Sequence, residues 1–380
     1  MFYQLPPVGN QIACHFQAAS PQGVAGYFSS DSYFFNSGAA SLAAAVLATV
    51  QQTGLKSPEV LLPAYACPEL VSAILWAGAR PVPVDFAVDR PWMALDEISK
   101  KLTPHTCAII AVSLFGIPER IEEIKALLSG REIYLIEDSA QAFPEKASLE
   151  PLQSDLKIYS FGRGKPVSLL GGGAVVVESG ALSERIAHLH HEAARSDSRP
   201  WLSRLKIALY NRLISPRLYW LPSRVPFIQL GATVYKPLQK IEKMGEFEMG
   251  LLAQNIERYW SRGEEIQALL MAGIAASDSK NVMDLAAVSC KEKRPRLLRY
   301  PLLAKSPAVR DKLCDKLNRE GIGASRMYPA ILPKIKDMVA VFDLSDEVPN
   351  AAAFSQRILT LPVHSGVTKE VVNKMLQIVV

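Results

Sequence analysis

Between about residue 30 and residue 180, short apolar runs alternate with helical patterns, and that alternation leaves few folds open. The runs are Val60 to Leu62, Pro81 to Asp85, Ala108 to Leu114 and Tyr134 to Ile136, and between them Leu70 to Trp76 and Ile121 to Leu128 carry apolar residues at helical spacing. Alternation of this kind builds βαβ units, so a mainly parallel, doubly wound α/β sheet is expected. From Gly245 the pattern turns helical, through Met249 to Leu270. It is then mixed, with Arg299 to Leu303 and Gly323 to Met327 as strand candidates and Lys369 to Ile378 as a final helix. A chain of 380 residues exceeds one ordinary core. The expected organisation is an N-terminal arm over 1–30, a large domain over 31–245 and a smaller C-terminal α/β domain over 246–380.

The chemistry gathers where these strands end. Tyr134-Leu135-Ile136 runs into Glu137-Asp138, which delivers a carboxylate to a strand's carboxyl end, where α/β sheets hold ligands. Lys165 closes the run Ser160-Phe161-Gly162-Arg163-Gly164-Lys165, and Gly171-Gly172-Gly173 follows before the apolar strand Ala174 to Val177. Taken singly, such a lysine reads as a surface group and such an aspartate as a cap or turn residue. A third element joins them: Asn36-Ser37-Gly38-Ala39-Ala40-Ser41 precedes an alanine-rich helical run, Leu42 to Val50. Free amides at a helix start, beside hydroxyls and a glycine, cradle phosphate. One cofactor would use all three: pyridoxal 5'-phosphate (PLP), whose aldehyde forms a Schiff base with a lysine and whose pyridinium nitrogen pairs with a carboxylate.

At these residues the chain resembles the DegT/DnrJ/EryC1/StrS sugar aminotransferases, PLP enzymes of fold type I. The matching stretches are FNSGAASL (35–42), LLPAYACPELVSAI (61–74), GARPVPVDF (78–86), AIIAVSLFGIP (108–118), YLIEDSAQAF (134–143), YSFGRGK (159–165), GGGAVVV (171–177), GIGASRMYPAI (321–331) and ILTLPVHSGVTKEVVNKM (358–375). The resemblance implies a seven-stranded sheet between helices in the large domain. It implies Lys165 and Asp138 as catalytic residues, with Ser37, Gly38, Ala39 and Ser160 at the cofactor phosphate. Gln141 matches a residue near the cofactor's 3-hydroxyl, the alternative being an amide on a helix surface. Arg326 and Tyr328 match a substrate-facing stretch, and Arg163, two residues before the lysine, stands where a guanidinium could meet a carboxylate or phosphate; for both arginines the alternative is solvation or a structural ion pair. Four departures stand out. Cys67 occupies the place of a ring-stacking aromatic, so Tyr65 or a residue elsewhere covers the ring, or a sulfur contact suffices. Ala39 replaces a threonine, and Leu169-Leu170 replace small polar residues. The asparagine loop that family members lend to a neighbouring subunit is not recognisable near Lys243 to Glu246.

The implied reaction moves an amino group from an amino acid, glutamate by resemblance, to a nucleotide-linked keto sugar in polysaccharide or aminosugar synthesis. The enzyme would be a homodimer with cofactor sites near the subunit boundary. A PLP dehydration is the alternative within enzymes, although dehydratases of that kind replace the lysine that this chain keeps. A catalytically altered PLP-fold protein with a binding or regulatory role is the other, because Cys67 and Ala39 change the pocket. Five cysteines without CxxC spacing argue for a reducing cytoplasm, and no apolar run reaches membrane-spanning length. His188, His191 and Glu192 share a helical face, but no further ligand set completes a zinc motif, so no metal is expected. The stretch 193–240 holds nine lysines and arginines against one acid, Asp197, interleaved with six aromatics. It reads as a helical insertion packed on the dimer or as a peripheral membrane contact. No helix-turn-helix or finger signature supports a nucleic-acid partner.

Overall fold

The computed structural model describes residues 3–14, 24, 26–28, 31–146, 151–196, 199–221, 233–277, 280–290, 295–343 and 347–380. Seven strands form the main sheet: β1 (Asp31–Phe35), β2 (Glu59–Pro63), β3 (Arg80–Val84), β4 (Thr106–Val112), β5 (Tyr134–Asp138), β6 (Leu156–Ser160) and β7 (Gly173–Val177). Their order is β1-β7-β6-β5-β4-β2-β3. Only β7 runs against the rest, pairing antiparallel with β1 and β6, which gives the mainly parallel sheet the sequence predicts.

Burial explains the strand sequences. All seven residues of β4 are buried, as a strand covered by helices on both faces requires. β3 reads Arg-Pro-Val-Pro-Val and lies at the edge, pairing only with β2, where prolines without N–H groups cost no ladder bond. Val60, Leu62, Ala108 and Ile110 pack on α1 (Gly38–Thr53) and α2 (Glu69–Trp76), while Leu61 and Ile109 join α3 (Leu95–Lys101) and α4 (Ile121–Leu127) on the other face. In α1, Ala40, Ala43, Ala44, Ala45 and Ala48 are fully buried, because small side chains bring the helix close to the strands.

Three helices complete this layer: α5 (Ala181–Glu192), α6 (Pro200–Leu213) and α7 (Glu246–Trp260). Phe247, Leu251, Leu252 and Ile256 of α7 share a core with Phe34, Tyr159, Phe161 and Val176, so the chain passes residue 245 while still packing on the large sheet. The helical pattern from Met249 to Leu270 is two helices, α7 and α8 (Glu265–Ala275). A second, antiparallel sheet follows in the order β10-β9-β8, with β8 at Val282–Asp284, β9 at Arg299–Ala304 and β10 at Ile358–Pro362. The expected strand at Gly323 to Met327 is only one bridge, Ser325 to Thr360, because Met327 takes φ 56° and turns the chain. Around this sheet stand α9 (Leu285–Ser289), α10 (Pro307–Arg319), α11 (Pro349–Arg357) and α12 (Lys369–Val379). Of the basic aromatic stretch, Asp197, Arg224 and Phe227 lie outside the described residues. His188 and Glu192 pair at 3.5 Å on an exposed face of α5.

Candidate active site

The carboxyl ends of β1, β5 and β6 share one edge of the sheet, and the reversed sense of β7 brings its amino end there as well. Register sets Phe35 and Ser160 on either side of Gly173. Ser37 caps α1: its hydroxyl oxygen accepts the Ala40 N–H at 3.0 Å. A Cβ on Gly38 would stand 2.6 Å from Oγ of Ser160, and one on Gly173 would stand 2.7 Å from the Ser37 carbonyl oxygen. Glycine at both places lets the amino end of α1 press against the Ser160 hydroxyl. Ser37, Gly38, Ala39 and Ser160 are therefore brought together at the amino end of α1, where unpaired helix amides are suited to an anion.

Past β6 the chain doubles back through a tight loop. Leu169 N–H donates to the Phe161 carbonyl at 2.7 Å, and Ser168 Oγ donates to the Gly162 carbonyl at 3.2 Å. Lys165, half-buried, is anchored from outside this loop, for Asn10 Nδ2 donates to its carbonyl oxygen at 3.0 Å. The arm thus holds the lysine, which its lack of periodicity gave no reason to expect.

Asp138 ends β5 and is buried, one carboxylate oxygen accepting the Ala140 N–H at 2.8 Å. Burial raises its carboxyl above the ordinary range, against the pull of the Ala140 amide and the Lys165 charge. The Lys165 charge also reaches the Cys67 thiol, which burial pushes up to about 11. Amine, carboxyl and thiol therefore lie within electrostatic reach of one another.

Gln141 is not a helix-surface amide. It is buried in the turn after β5, where its Oε1 accepts the Phe115 N–H at 3.1 Å and its Nε2 donates to the Tyr328 hydroxyl at 3.4 Å. Tyr65, expected among the cofactor contacts, is a core residue instead. It is 0% exposed and packs edge-on against Phe354 and Tyr328, both at 5.5 Å, and Phe86 at 6.1 Å. Its hydroxyl donates to the Tyr328 carbonyl at 3.1 Å and accepts the Tyr328 N–H at 3.2 Å. Its ring has no exposed surface to offer a ligand, so Tyr65 holds the Tyr328 backbone, while Cys67 is half-buried. Phe115, Leu170 and Met327, at φ 62°, 69° and 56°, adjoin this site, and each left-handed residue stores strain of order 1 kcal/mol.

Of the two arginines singled out in the sequence, Arg163 is exposed and makes no hydrogen bond or ion pair among the described residues. Arg326 is held by Asp311 and Asp315, each at 3.2 Å, which is the ion-pair alternative. Two further residues border the pocket. Glu69, at the start of α2, acts on both Cys67 and Asp138. Arg299 lies beside Tyr328, Tyr219 and Tyr65; burial lowers its guanidinium pKa, and its Nε has no acceptor among the described residues. A buried N–H without an acceptor is costly, and a carboxylate or phosphate would satisfy it. In the sequence Arg299 only opens the strand candidate that runs to Leu303. The residues fit PLP: a cradle that a Cβ would fill, an amine, and a buried carboxyl within reach of the amine's charge.

Residues 30–213 and 247–380 match the profile of the DegT/DnrJ/EryC1/StrS aminotransferase family. The chain is 31% identical over 145 residues to the GDP-perosamine synthase of Escherichia coli O157:H7, a stretch spanning 38% of this chain and 40% of that protein. It is 22% identical over 343 residues to the dTDP-4-amino-4,6-dideoxy-D-glucose transaminase of Shigella dysenteriae, spanning 89% of this chain and 82% of that protein. Among solved structures, DesI in the presence of its TDP-sugar product gives a TM-score of 0.73 at 17% identity, covering 100% of this chain and 92% of that one. DesV of S. venezuelae gives 0.70 at 19% identity, covering 94% and 86%. These structural likenesses show a shared fold.

Proposed function

Because this chain belongs to the DegT/DnrJ/EryC1/StrS aminotransferase family, we propose that it is a PLP-dependent aminotransferase that carries an amino group from an amino acid to a nucleotide-linked keto sugar. The observation that carries this reading is the close approach of Gly38 and Ser160 at the sheet edge where the buried Asp138 carboxyl lies within reach of the Lys165 charge. Bound there, PLP would supply an aldehyde that takes up and gives back an amino group and a ring that delocalises an electron pair. The α1 amides and Ser160 would hold its phosphate, Asp138 would keep the ring nitrogen protonated, and Gln141 would lie towards the ring hydroxyl. Lys165 Nζ would move the proton at the substrate carbon. Arg299, and Arg163 at the rim, are the guanidinium groups open to the donor's carboxylate and the sugar's phosphates.

Glutamate as donor, a cytoplasmic homodimer and a place in polysaccharide or aminosugar synthesis belong to the same reading and rest on the family. The relatives' names carry GDP and dTDP sugars, which supports a nucleoside diphosphate sugar as substrate class without choosing the base. The test is incubation of PLP-loaded protein with glutamate and a panel of nucleotide keto sugars, read by product mass. A product one amino group richer supports the reading; loss of water from the sugar without amination would move it to dehydration.

A further inference from the structure

Helix α6 presents two faces of different chemistry. Inward, Ile207 is buried, the Tyr210 hydroxyl meets Gly164 and Ser168 of the Lys165 loop, and Asn211 exchanges hydrogen bonds of 2.9 and 2.8 Å with the Ile12 backbone. Outward, Trp201, Leu205 and Leu209 are exposed at 65%, 58% and 55%. Their spacing of four residues sets them in one stripe. Lys206 and Arg204 flank the stripe, Arg212 continues it, and Arg199 and Arg217 stand at its ends. Residues 199–221 contain these five cations and no acid, and none of the five is in an ion pair among the described residues.

Large apolar side chains left in water call for a cover. The α6 of a second copy is a poor one, since α6 against α6 would set cations against cations. Nucleic acid would neutralise the cations and leave the stripe wet. A bilayer with anionic headgroups satisfies both halves: apolar side chains enter the acyl boundary, tryptophan sits at headgroup level, and lysine and arginine meet phosphates. We propose that α6 seats the protein on a membrane surface carrying anionic lipid, with the Lys165 loop packed against the opposite face of the same helix. The proposal stands on this surface and does not depend on the chemistry of the site.

The experiment floats the full chain, loaded with PLP, with vesicles of phosphatidylcholine alone or mixed with phosphatidylglycerol. Co-flotation is expected with the mixture at low salt, is lost at high salt and is absent with phosphatidylcholine alone. Joint replacement of Trp201, Leu205 and Leu209 by Ser should abolish it, with sedimentation and solution activity unchanged. Lys206→Ser and Arg212→Ser should each lower partition roughly fivefold. The proposal is overturned by absence of binding to the mixture, by binding that survives the triple change, or by a triple variant that dissociates into monomers. If the triple variant does not fold, the Lys206 and Arg212 variants decide alone, and unchanged partition in both overturns it.

Discussion

Gly38 and Ser160, 122 positions apart in the chain, meet so closely that a Cβ on the glycine would lie 2.6 Å from both Cβ and Oγ of the serine. Gly38→Ala must therefore move either the start of α1 or the end of β6. The expected result is a loss of PLP affinity of roughly tenfold or more, about 1.4 kcal/mol, measured by equilibrium dialysis. A second change, Ser160→Gly, should recover the melting temperature lost with Gly38→Ala but not the affinity, since the hydroxyl is gone. Affinity equal to wild type in the single variant would show that the anion binds elsewhere.

Lys165→Ala should abolish both turnover and the lysine-dependent visible absorbance of the loaded protein. Lys165→Arg should fail equally, because a guanidinium stays protonated and cannot condense with an aldehyde. Normal turnover in either variant would remove Lys165 from the mechanism.

Asp138 allows a test that separates chemistry from folding. Burial raises its carboxyl, so the ionised form is penalised in the fold at neutral pH, and Asn keeps an acceptor for the Ala140 N–H. Unloaded Asp138→Asn should melt no lower than wild type at pH 7, yet its activity should fall about 100-fold or more. A lower melting temperature with near-normal kinetics would make Asp138 a turn residue only.

The sequence made most of the main sheet legible because its strands are short apolar runs set off by helices; Asp138 was read from the end of such a run, Ser160 and Lys165 from the run before Gly171-Gly172-Gly173, and Gly38 from the start of the alanine-rich helix. β1 escaped, since Asp31-Ser32-Tyr33-Phe34-Phe35 has only two buried residues at its end, and β8 is three half-buried residues long. Tyr65 was misplaced for a different reason. Its neighbours in space, Phe86, Tyr328 and Phe354, come from distant parts of the chain, and only the tertiary structure shows that they fill every side of its ring. Asn10 carries no local pattern and Arg299 only that of a strand's first residue; their roles come from what they approach.

Arg299 has Tyr328, Tyr219 and Tyr65 around it and a buried Nε without an acceptor among the described residues. If the donor's carboxylate pairs there, Arg299→Gln should raise KM for glutamate at least tenfold and leave KM for the nucleotide sugar within about twofold. The reverse pattern would assign the arginine to the sugar's phosphates, and no change in either KM would make it structural.

His364 ties the small sheet to the arm, and its ionisation should set the acid limit of the fold. Its Nε2–H donates to the Pro6 carbonyl at 2.9 Å and its Nδ1 accepts the Gly366 N–H at 3.1 Å, which fixes a neutral ring. A Cβ on Gly9 would lie 2.5 Å from the same ring, so the arm is fitted closely around it. Burial, aided by the Arg262 and Arg299 charges and opposed by the Pro6 carbonyl, holds its pKa down from 6.5 to about 4. The folded pKa is below the unfolded one, so the unfolded chain takes up the proton first as pH falls. The contribution is therefore fully present above about pH 6.5 and is lost progressively towards pH 4, amounting to about 3 kcal/mol. Urea unfolding at pH 7, 5.5 and 4.5 should show wild type losing stability across that window, with a flatter profile for His364→Gln. Parallel profiles would deny the histidine this role. Because the same arm carries Asn10 to the Lys165 carbonyl at 3.0 Å, cofactor affinity in wild type should weaken over the same interval, and to a lesser degree in the variant.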